Sequence, residues 1–392
     1  MRARIRRWVF DDPWMLWSLL AVLVLFRLFA IARGFGEAGS QEDIDRFWAI
    51  AGAPGRPYVT YQVEYPPLTL ALFKALASFL HTQTAFGTAL IVISALAEAG
   101  MAVLVWRTWG REAALAFLVL DSVLYVLVVT RLDFVSTALA LAALAACIKR
   151  RPALAGLLIV AAAGVKLWPL ALAPLLFVLL SSRDRRRYLV ALLAGGVCLL
   201  AGWLAVGGIA GIQQVLTFRG ATGWQVESAI GSVVHLVTRE APFLNRGTHR
   251  FGSVPPGLPE ALLAIAALVS LWVARSASPA RAGAAWTAAV GTFLLCSTLF
   301  SPQFVAWLIP GAALALIGAD WIVGIGVLLV ALLTIAEYVE YTPLLALQLS
   351  AMLVLVLRNA VLAATVLLAL WRLRAGVLSK RGALPTLRVA QT

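Results

Sequence analysis

The sequence predicts an all-α integral membrane protein, a bundle of about twelve transmembrane helices with an interfacial helix in its first outer loop. Three observations carry this. Hydrophobic residues make up 62% of the 392 and charged residues 13%, where a soluble domain is about half apolar and a quarter charged. Apolar runs recur from Trp14 to Trp371, many near the ~20 residues that cross a bilayer core. Of the 32 basic residues, 20 fall in six short clusters between or beyond those runs, the pattern of the positive-inside rule.

The clusters fix the threading. They hold Arg2, Arg4, Arg6 and Arg7; Arg107 and Arg111; Lys149, Arg150 and Arg151; Arg183, Arg185, Arg186 and Arg187; Arg275 and Arg281; and Arg372, Arg374, Lys380, Arg381 and Arg388. With the first cluster in the cytoplasm, spans near 14–33, 85–106, 112–130, 132–148, 152–167, 168–181, 187–206, 258–276, 282–300, 303–318, 320–337 and 344–372 keep all six there. Residues 1–13 become a basic cytoplasmic N-terminus, 14–372 one polytopic domain and 373–392 a basic cytoplasmic tail. Leu68–Leu80 is apolar but short and interrupted by Lys74. It is assigned to the outer surface as an interfacial helix, because counting it as a span would export most basic clusters.

The same pattern argues against nucleic-acid binding, despite the net charge of +14. A nucleic-acid binder gathers its charge on one folded face. Recurrent apolar runs also exclude a soluble domain behind a signal peptide. Cys147, Cys198 and Cys296 sit inside apolar runs without ligand spacing and read as small core hydrophobes.

Two long outer segments remain, about 34–84 and 207–257, and they gather the polar tracts. In the first, Ile44, Phe47, Trp48 and Ala51 follow helical spacing and define a face toward the membrane. Ser40 and Asp43 are spaced as a capping box, so an acid at position 43 also has a structural reading. Glu64-Tyr65-Pro66-Pro67 precedes the interfacial helix, with proline as a helix-start signal. Arg131 and Asp133 at the next outer junction read as a local ion pair closing a turn. Lys166, beside a Trp168-Pro169 break, either snorkels or holds an anion. The second segment carries Arg219, Gln225, Glu227 and His235, and Gln303 opens a later span. Within the spans, Arg27 with Glu98 or Asp121 forms an expected buried pair. Short basic cytoplasmic loops leave no room for nucleotide chemistry, so an activated donor would arrive on a lipid.

Taken in order, Asp43-Ile44 with Phe47, Gly55-Arg56-Pro57-Tyr58, Glu64-Tyr65-Pro66-Pro67, Arg131-Leu132-Asp133-Phe134-Val135, Lys166-Leu167-Trp168-Pro169, Trp224-Gln225-Val226-Glu227-Ser228 and Ser301-Pro302-Gln303-Phe304 resemble the bacterial polyprenyl-phosphate-mannose-dependent α-1,2-mannosyltransferases. These are glycosyltransferases of the GT-C type, and the resemblance runs from about residue 14 to about 340. It implies a GT-C bundle whose catalytic carboxylate is Asp43, with Asp45 as the alternate. Lys166, Arg131 and Arg219 are the cations this chain offers to the lipid phosphate. Glu64, Tyr65, Gln225, Glu227, His235 and Gln303 are the candidates for sugar and acceptor. Phe47 and Phe304 stand where family members often carry tyrosines, so no hydrogen bond is expected from either.

The implied reaction moves a hexose, mannose on this resemblance, from a polyprenyl phosphate to a glycolipid or lipoglycan hydroxyl on the outer face of the plasma membrane. A single base on the acceptor side gives inversion. A lone phosphate is neutralised by two or three cations, so no metal or other cofactor is expected. A pentose from a different polyprenyl phosphate would suit the same groups. A secondary transporter or lipid flippase is the alternative from another class. It predicts two repeated halves with ionisable groups near the midplane, and Glu98 and Asp121 are what favour it.

Overall fold

The structure is a computed structural model that describes residues 13–39 and 41–382. Arg2, Arg4, Arg6, Arg7, Ser40 and Arg388 lie outside the described residues, as do the side chains of Lys380 and Arg381.

Helix α1 (Pro13–Glu37) leads into two short helices, α2 (Glu42–Gly52) and α3 (Pro67–Phe79), before α4 (Gln83–Trp109). Pro66 is the N-cap of α3 and Pro67 its first residue, where a missing N–H breaks no bond. Its 13 residues reach only ~20 Å, short of a bilayer core. Lys74, its one charge, donates to the carbonyls of Ala51 and Ala53 at 3.4 Å. A cation there complements the exposed carbonyls at the end of α2. The apolar face expected on α2 forms, with Ile44, Phe47, Ile50 and Ala51 buried. It covers protein rather than lipid, because α3 and α4 close over it: Phe47 stacks on Phe73 at 4.9 Å and Trp48 meets Phe86 at 5.4 Å.

Helices α5 (Arg111–Val128), α6 (Asp133–Ile148) and α7 (Pro152–Val165) follow, then a 3-10 turn (Trp168–Leu172) that continues into α8 (Ala173–Leu179). Helix α9 (Ser182–Leu216) has 35 residues, of which only Tyr188, Trp203, Gly207 and Gly211 are buried. Its exposed Val190, Leu193 and Val197 would be untenable in water and suit hydrocarbon. Gly208, at φ 59°, breaks the helix near its end. A small antiparallel sheet departs from the all-α pattern: β1 (Trp224–Gln225), β2 (Phe243–Asn245) and β3 (Thr248–Phe251) in the order β1-β3-β2, with α10 (Ala229–Thr238) between β1 and β2.

The chain ends with α11 (Leu258–Ser276), α12 (Ala282–Leu295), a 3-10 segment (Pro302–Leu308) running into α13 (Ile309–Ile317), α14 (Trp321–Val339), α15 (Tyr341–Leu345) and α16 (Leu349–Gly382). Among the described residues, six helices are long and apolar enough to cross a membrane: Trp14–Glu37, Gln83–Trp109, Ser182–Leu216, Leu258–Ser276, Trp321–Val339 and Leu349–Ala375. The other expected spans meet shorter, broken or more charged helices. Helix α7 has 14 residues, as does α12, whose packing is close enough that a Cβ on Gly283 would fall 2.4 Å from the Ala315 backbone nitrogen.

The expected buried ion pair forms with both carboxylates. Arg27 Nε donates to Glu98 at 2.9 Å and Nη2 lies 3.4 Å from Asp121. Its remaining donors reach Ser122 Oγ at 3.0 Å and the Leu23 and Leu118 carbonyls at 3.1 Å. A charge at this depth is tolerable because every donor is satisfied. The triad ties α1 to α4 and α5.

Candidate active site

The α1–α4 connection, the α5–α6 turn, the end of α7 and the segment after α9 meet in one polar cluster. Asp43 stands in the first turn of α2, whose N-cap is Gln41 with no side-chain cap bond. The expected capping partner, Ser40, lies outside the described residues; two arginines hold the Asp43 carboxylate. Arg46, one turn on, donates to Oδ1 at 2.6 Å, and Arg131 Nε donates to Oδ2 at 2.6 Å with Nη2 2.5 Å from the same oxygen. Burial alone would raise the Asp43 carboxyl, but Arg131 and then Arg46 outweigh it and hold it below its ordinary value.

Arg46 also faces Glu64 Oε1 at 2.9 Å, and Arg219 faces Oε2 at 3.6 Å. Neither contact has hydrogen-bond alignment. Arg219, in left-handed backbone at φ 61°, donates to the carbonyl of Arg246, whose Nη1 reaches Gln62 at 2.6 Å. Five cations (Arg46, Arg131, Lys166, Arg219, Arg246) thus stand among three carboxylates (Asp43, Glu64, Asp133), an excess of two positive charges.

Arg131 and Asp133 do not form the local pair their spacing suggested. Two residues apart at a helix start, they face different ways: Arg131 goes to Asp43, and Asp133 takes Lys166 Nζ at 2.7 Å. Asp133 is fully buried and its Oδ1 also accepts Trp307 Nε1 at 2.7 Å. The anion that Lys166 holds is therefore internal. Lys166 further lies 5.0 Å from the ring of Phe304 and 6.0 Å from that of Tyr65, cation–π distances. Phe304 stacks on Trp307 at 4.2 Å and Trp307 on Trp168 at 5.0 Å, so the Lys166-Leu167-Trp168 and Pro302-Gln303-Phe304 tracts pack as one aromatic wall. Gln303 is half-buried on that wall.

The loop bearing Glu64 is held by Tyr58. Its ring sits in a notch of α9, where a Cβ on Gly207 would come within 2.5 Å of it. Its hydroxyl donates to the Tyr65 carbonyl at 2.7 Å, and Gln214 joins the Tyr58 carbonyl and the Val63 N–H. Tyr58 thus carries the Gly55-Arg56-Pro57-Tyr58 tract as a positioning anchor.

Asp45 does not join the cluster. It is exposed and takes a hydrogen bond from Gln83. Asp43 and Asp45 are spaced D-x-D, but positions i and i+2 diverge on a helix, so the pair cannot share a ligand.

Gln225, Glu227 and His235 form a second, buried group. Gln225 donates to Ser301 Oγ at 3.0 Å and accepts from the Phe300 N–H at 2.5 Å, fixing the segment that leads to Phe304. The Glu227 carbonyl accepts Arg358 Nη2 at 2.5 Å, while Arg358 Nη1 faces Glu337 at 2.7 Å. The Tyr341 hydroxyl meets His249 Nδ1 at 3.0 Å. Burial pushes the Glu227 carboxyl up to about 7, against the pull of Arg358. His235 is buried against Phe251, ring centroids 4.7 Å apart, and burial lowers its pKa.

Sequence reasoning passed over Arg46, Trp307, Arg246, Tyr341 and His249. Only Arg46 carried a local signal, since it lies at i+3 from Asp43 on one helix.

A helical membrane protein with a cation-rich side-chain cluster between the ends of its helices fits the integral-membrane glycosyltransferases, enzymes that transfer a sugar. The chain belongs to glycosyltransferase family 87, whose profile matches residues 63–302. Glu64, Tyr65, Arg131, Asp133, Lys166, Arg219, Gln225, Glu227 and His235 fall inside the matched segment, and Asp43 and Arg46 precede it. No curated protein matches the chain.

Proposed function

We propose that this enzyme transfers a hexose, mannose in the first instance, from a polyprenyl phosphate to a hydroxyl of a glycolipid or lipoglycan. In this reading the chain crosses the plasma membrane twelve times, both termini are cytoplasmic and the site opens on the outer face. The single observation that carries the reading is the setting of Asp43: a half-buried carboxylate between two arginines, in a site with an excess of two positive charges.

The acceptor oxygen attacks the anomeric carbon while the bond from that carbon to the phosphate oxygen breaks. The bonding pair leaves with the phosphate, and the hydroxyl proton passes to Asp43. The donor diester carries one negative charge and the departing monoester two, so charge develops where Arg131, Arg46 and Lys166 stand. With Asp43 as the base and Glu64 turned to Arg46 and Arg219, displacement is direct and the configuration inverts. The cations serve without a metal. Glu64 and Tyr65, fixed through Tyr58, border the sugar, and Gln303 on the aromatic wall faces the acceptor side. Gln225, Glu227 and His235 support the wall from behind.

The test uses purified protein in lipid with radiolabelled polyprenyl-phosphate mannose and a glycolipid extract. Wild type moves label into a new glycolipid, and Asp43→Asn does not. Transfer from a polyprenyl-phosphate pentose alone would change the sugar and keep the mechanism. No transfer from any such donor would sink the reading and leave lipid translocation in its place.

A further inference from the structure

The base and the leaving group draw on the same guanidinium groups. Resting on the donor reading above, we infer that donor phosphate and the Asp43 carboxylate compete for Arg131 and Arg46, so that the base is masked until the lipid phosphate binds. Both Asp43 oxygens are engaged, Oδ1 by Arg46 and Oδ2 by Arg131. A carboxylate held this way has little lone pair to offer a hydroxyl and little affinity for its proton, in line with its depressed pKa.

The arginines are unequally held. Arg46 is shared between Asp43 and Glu64, and its contact with Glu64 lacks hydrogen-bond alignment. Arg219 is also poorly aligned on Glu64. A phosphate presents more acceptor oxygens than a carboxylate and takes arginine forks well, so it can replace Glu64 on Arg46 and Arg219 and draw Arg131 from Asp43. Asp43 then regains an open oxygen and its ordinary basicity, with the acceptor as the remaining reactant. Donor binding precedes base activation, and a donor-free enzyme does not deprotonate stray hydroxyls.

Lys166 is outside this exchange. Its partner Asp133 is buried, aligned at 2.7 Å and shared with Trp307, so it remains a fixed charge beside the exchanging pair.

Competition makes an unusual demand: removing the base must strengthen binding of the leaving group. The probe is a short-chain polyprenyl monophosphate without sugar, bound to purified protein in nanodiscs, with the matching polyprenol as the phosphate-free control. Asp43→Asn and Glu64→Gln each tighten the phosphate by about tenfold, the change that 1.4 kcal/mol produces, and leave polyprenol unchanged. Asp45→Asn removes the same charge two residues away, where the side chain faces Gln83, and leaves phosphate affinity at the wild-type value. Equal affinity in wild type and Asp43→Asn overturns the competition while the donor reading stands, as does an equal gain in Asp45→Asn, which would mark a diffuse charge effect. If wild type and every variant fail to bind the phosphate, competition and donor reading fall together. Thermal melts establish that each variant is folded before binding is compared.

Discussion

Arg131 donates Nε to Asp43 Oδ2 at 2.6 Å, with Nη2 2.5 Å from the same oxygen, and joins the α5–α6 turn to α2 across 88 positions of sequence. The turn is tied down in its own right, since Ser94 on α4 donates to the Arg131 carbonyl at 2.5 Å. Arg131 therefore presents its fork from a fixed backbone, and Asp43 is held between it and Arg46 before any substrate arrives.

Asp43→Asn is expected to lower turnover by about 100- to 10,000-fold, the range that positioned proton acceptance contributes. The fold survives with a modest loss, because the amide keeps one acceptor oxygen for one arginine and turns a donor toward the other. Asp45→Asn, on Gln83 and outside the cluster, retains activity near wild type. Initial rates of label transfer beside melting curves separate the two. Normal turnover in Asp43→Asn would move the base elsewhere.

Gly207→Ala tests the anchor of the Glu64 loop. The new methyl would sit 2.5 Å from Tyr58 Cδ2, on a helix face with no room to yield. Overpacking of this kind destabilises by about 1–3 kcal/mol. Displacing Tyr58 also loosens the Tyr65 carbonyl that its hydroxyl holds. Activity falls more than stability, and Gly208→Ala, where nothing lies within 4 Å but φ is 59°, shows the reverse order. Equal activity in Gly207→Ala and wild type would refute the anchor.

These relationships mark how far the sequence could be read. Composition and basic clusters gave the helical membrane class, and Pro66-Pro67 gave the start of α3 because proline acts locally. The polar tracts were visible as tracts, but their pairing was not. Arg131 and Asp133 looked like a pair because they are neighbours, whereas their partners lie 88 and 33 positions away. The sheet escaped notice because strands of two to four residues show no alternation to read. Arg46 was legible in principle as the i+3 partner of Asp43. The crossover of Lys166 onto Asp133 and Trp307 was not, since only the packing of α6, α7 and the 302–308 segment creates it.

Arg358 pins the second polar group. It is fully buried, faces Glu337 at 2.7 Å, donates to the Glu227 carbonyl and lies 4.2 Å from the Phe300 ring. Removing one partner of such a pair leaves the other charge stranded and costs about 3–5 kcal/mol. Arg358→Met is therefore expected to melt well below wild type, and adding Glu337→Gln recovers part of the loss by removing the stranded carboxylate. A double variant less stable than Arg358→Met would show that Glu337 is held by other groups.

Glu227 sets a pH dependence of stability with a definite sign. Burial raises its carboxyl from an ordinary 4.5 to about 7 in the folded protein, so between those values the folded chain holds a proton that the unfolded chain has lost. Stability from this group is full below pH 4.5 and is lost as pH rises through 7. The loss is about 3 kcal/mol for a shift of this size. Asp43 runs the other way: its depressed carboxyl contributes stability above the ordinary carboxylate range, lost as the pH falls. The two are separated by comparing wild type with Glu227→Gln, whose amide mimics the protonated acid at every pH. The variant is expected to match wild type at pH 4 and to exceed it at pH 8, with the difference growing between. Parallel melting curves for the two proteins from pH 5 to 8 would show that Glu227 is ionised across that range in the folded protein and overturn the raised carboxyl.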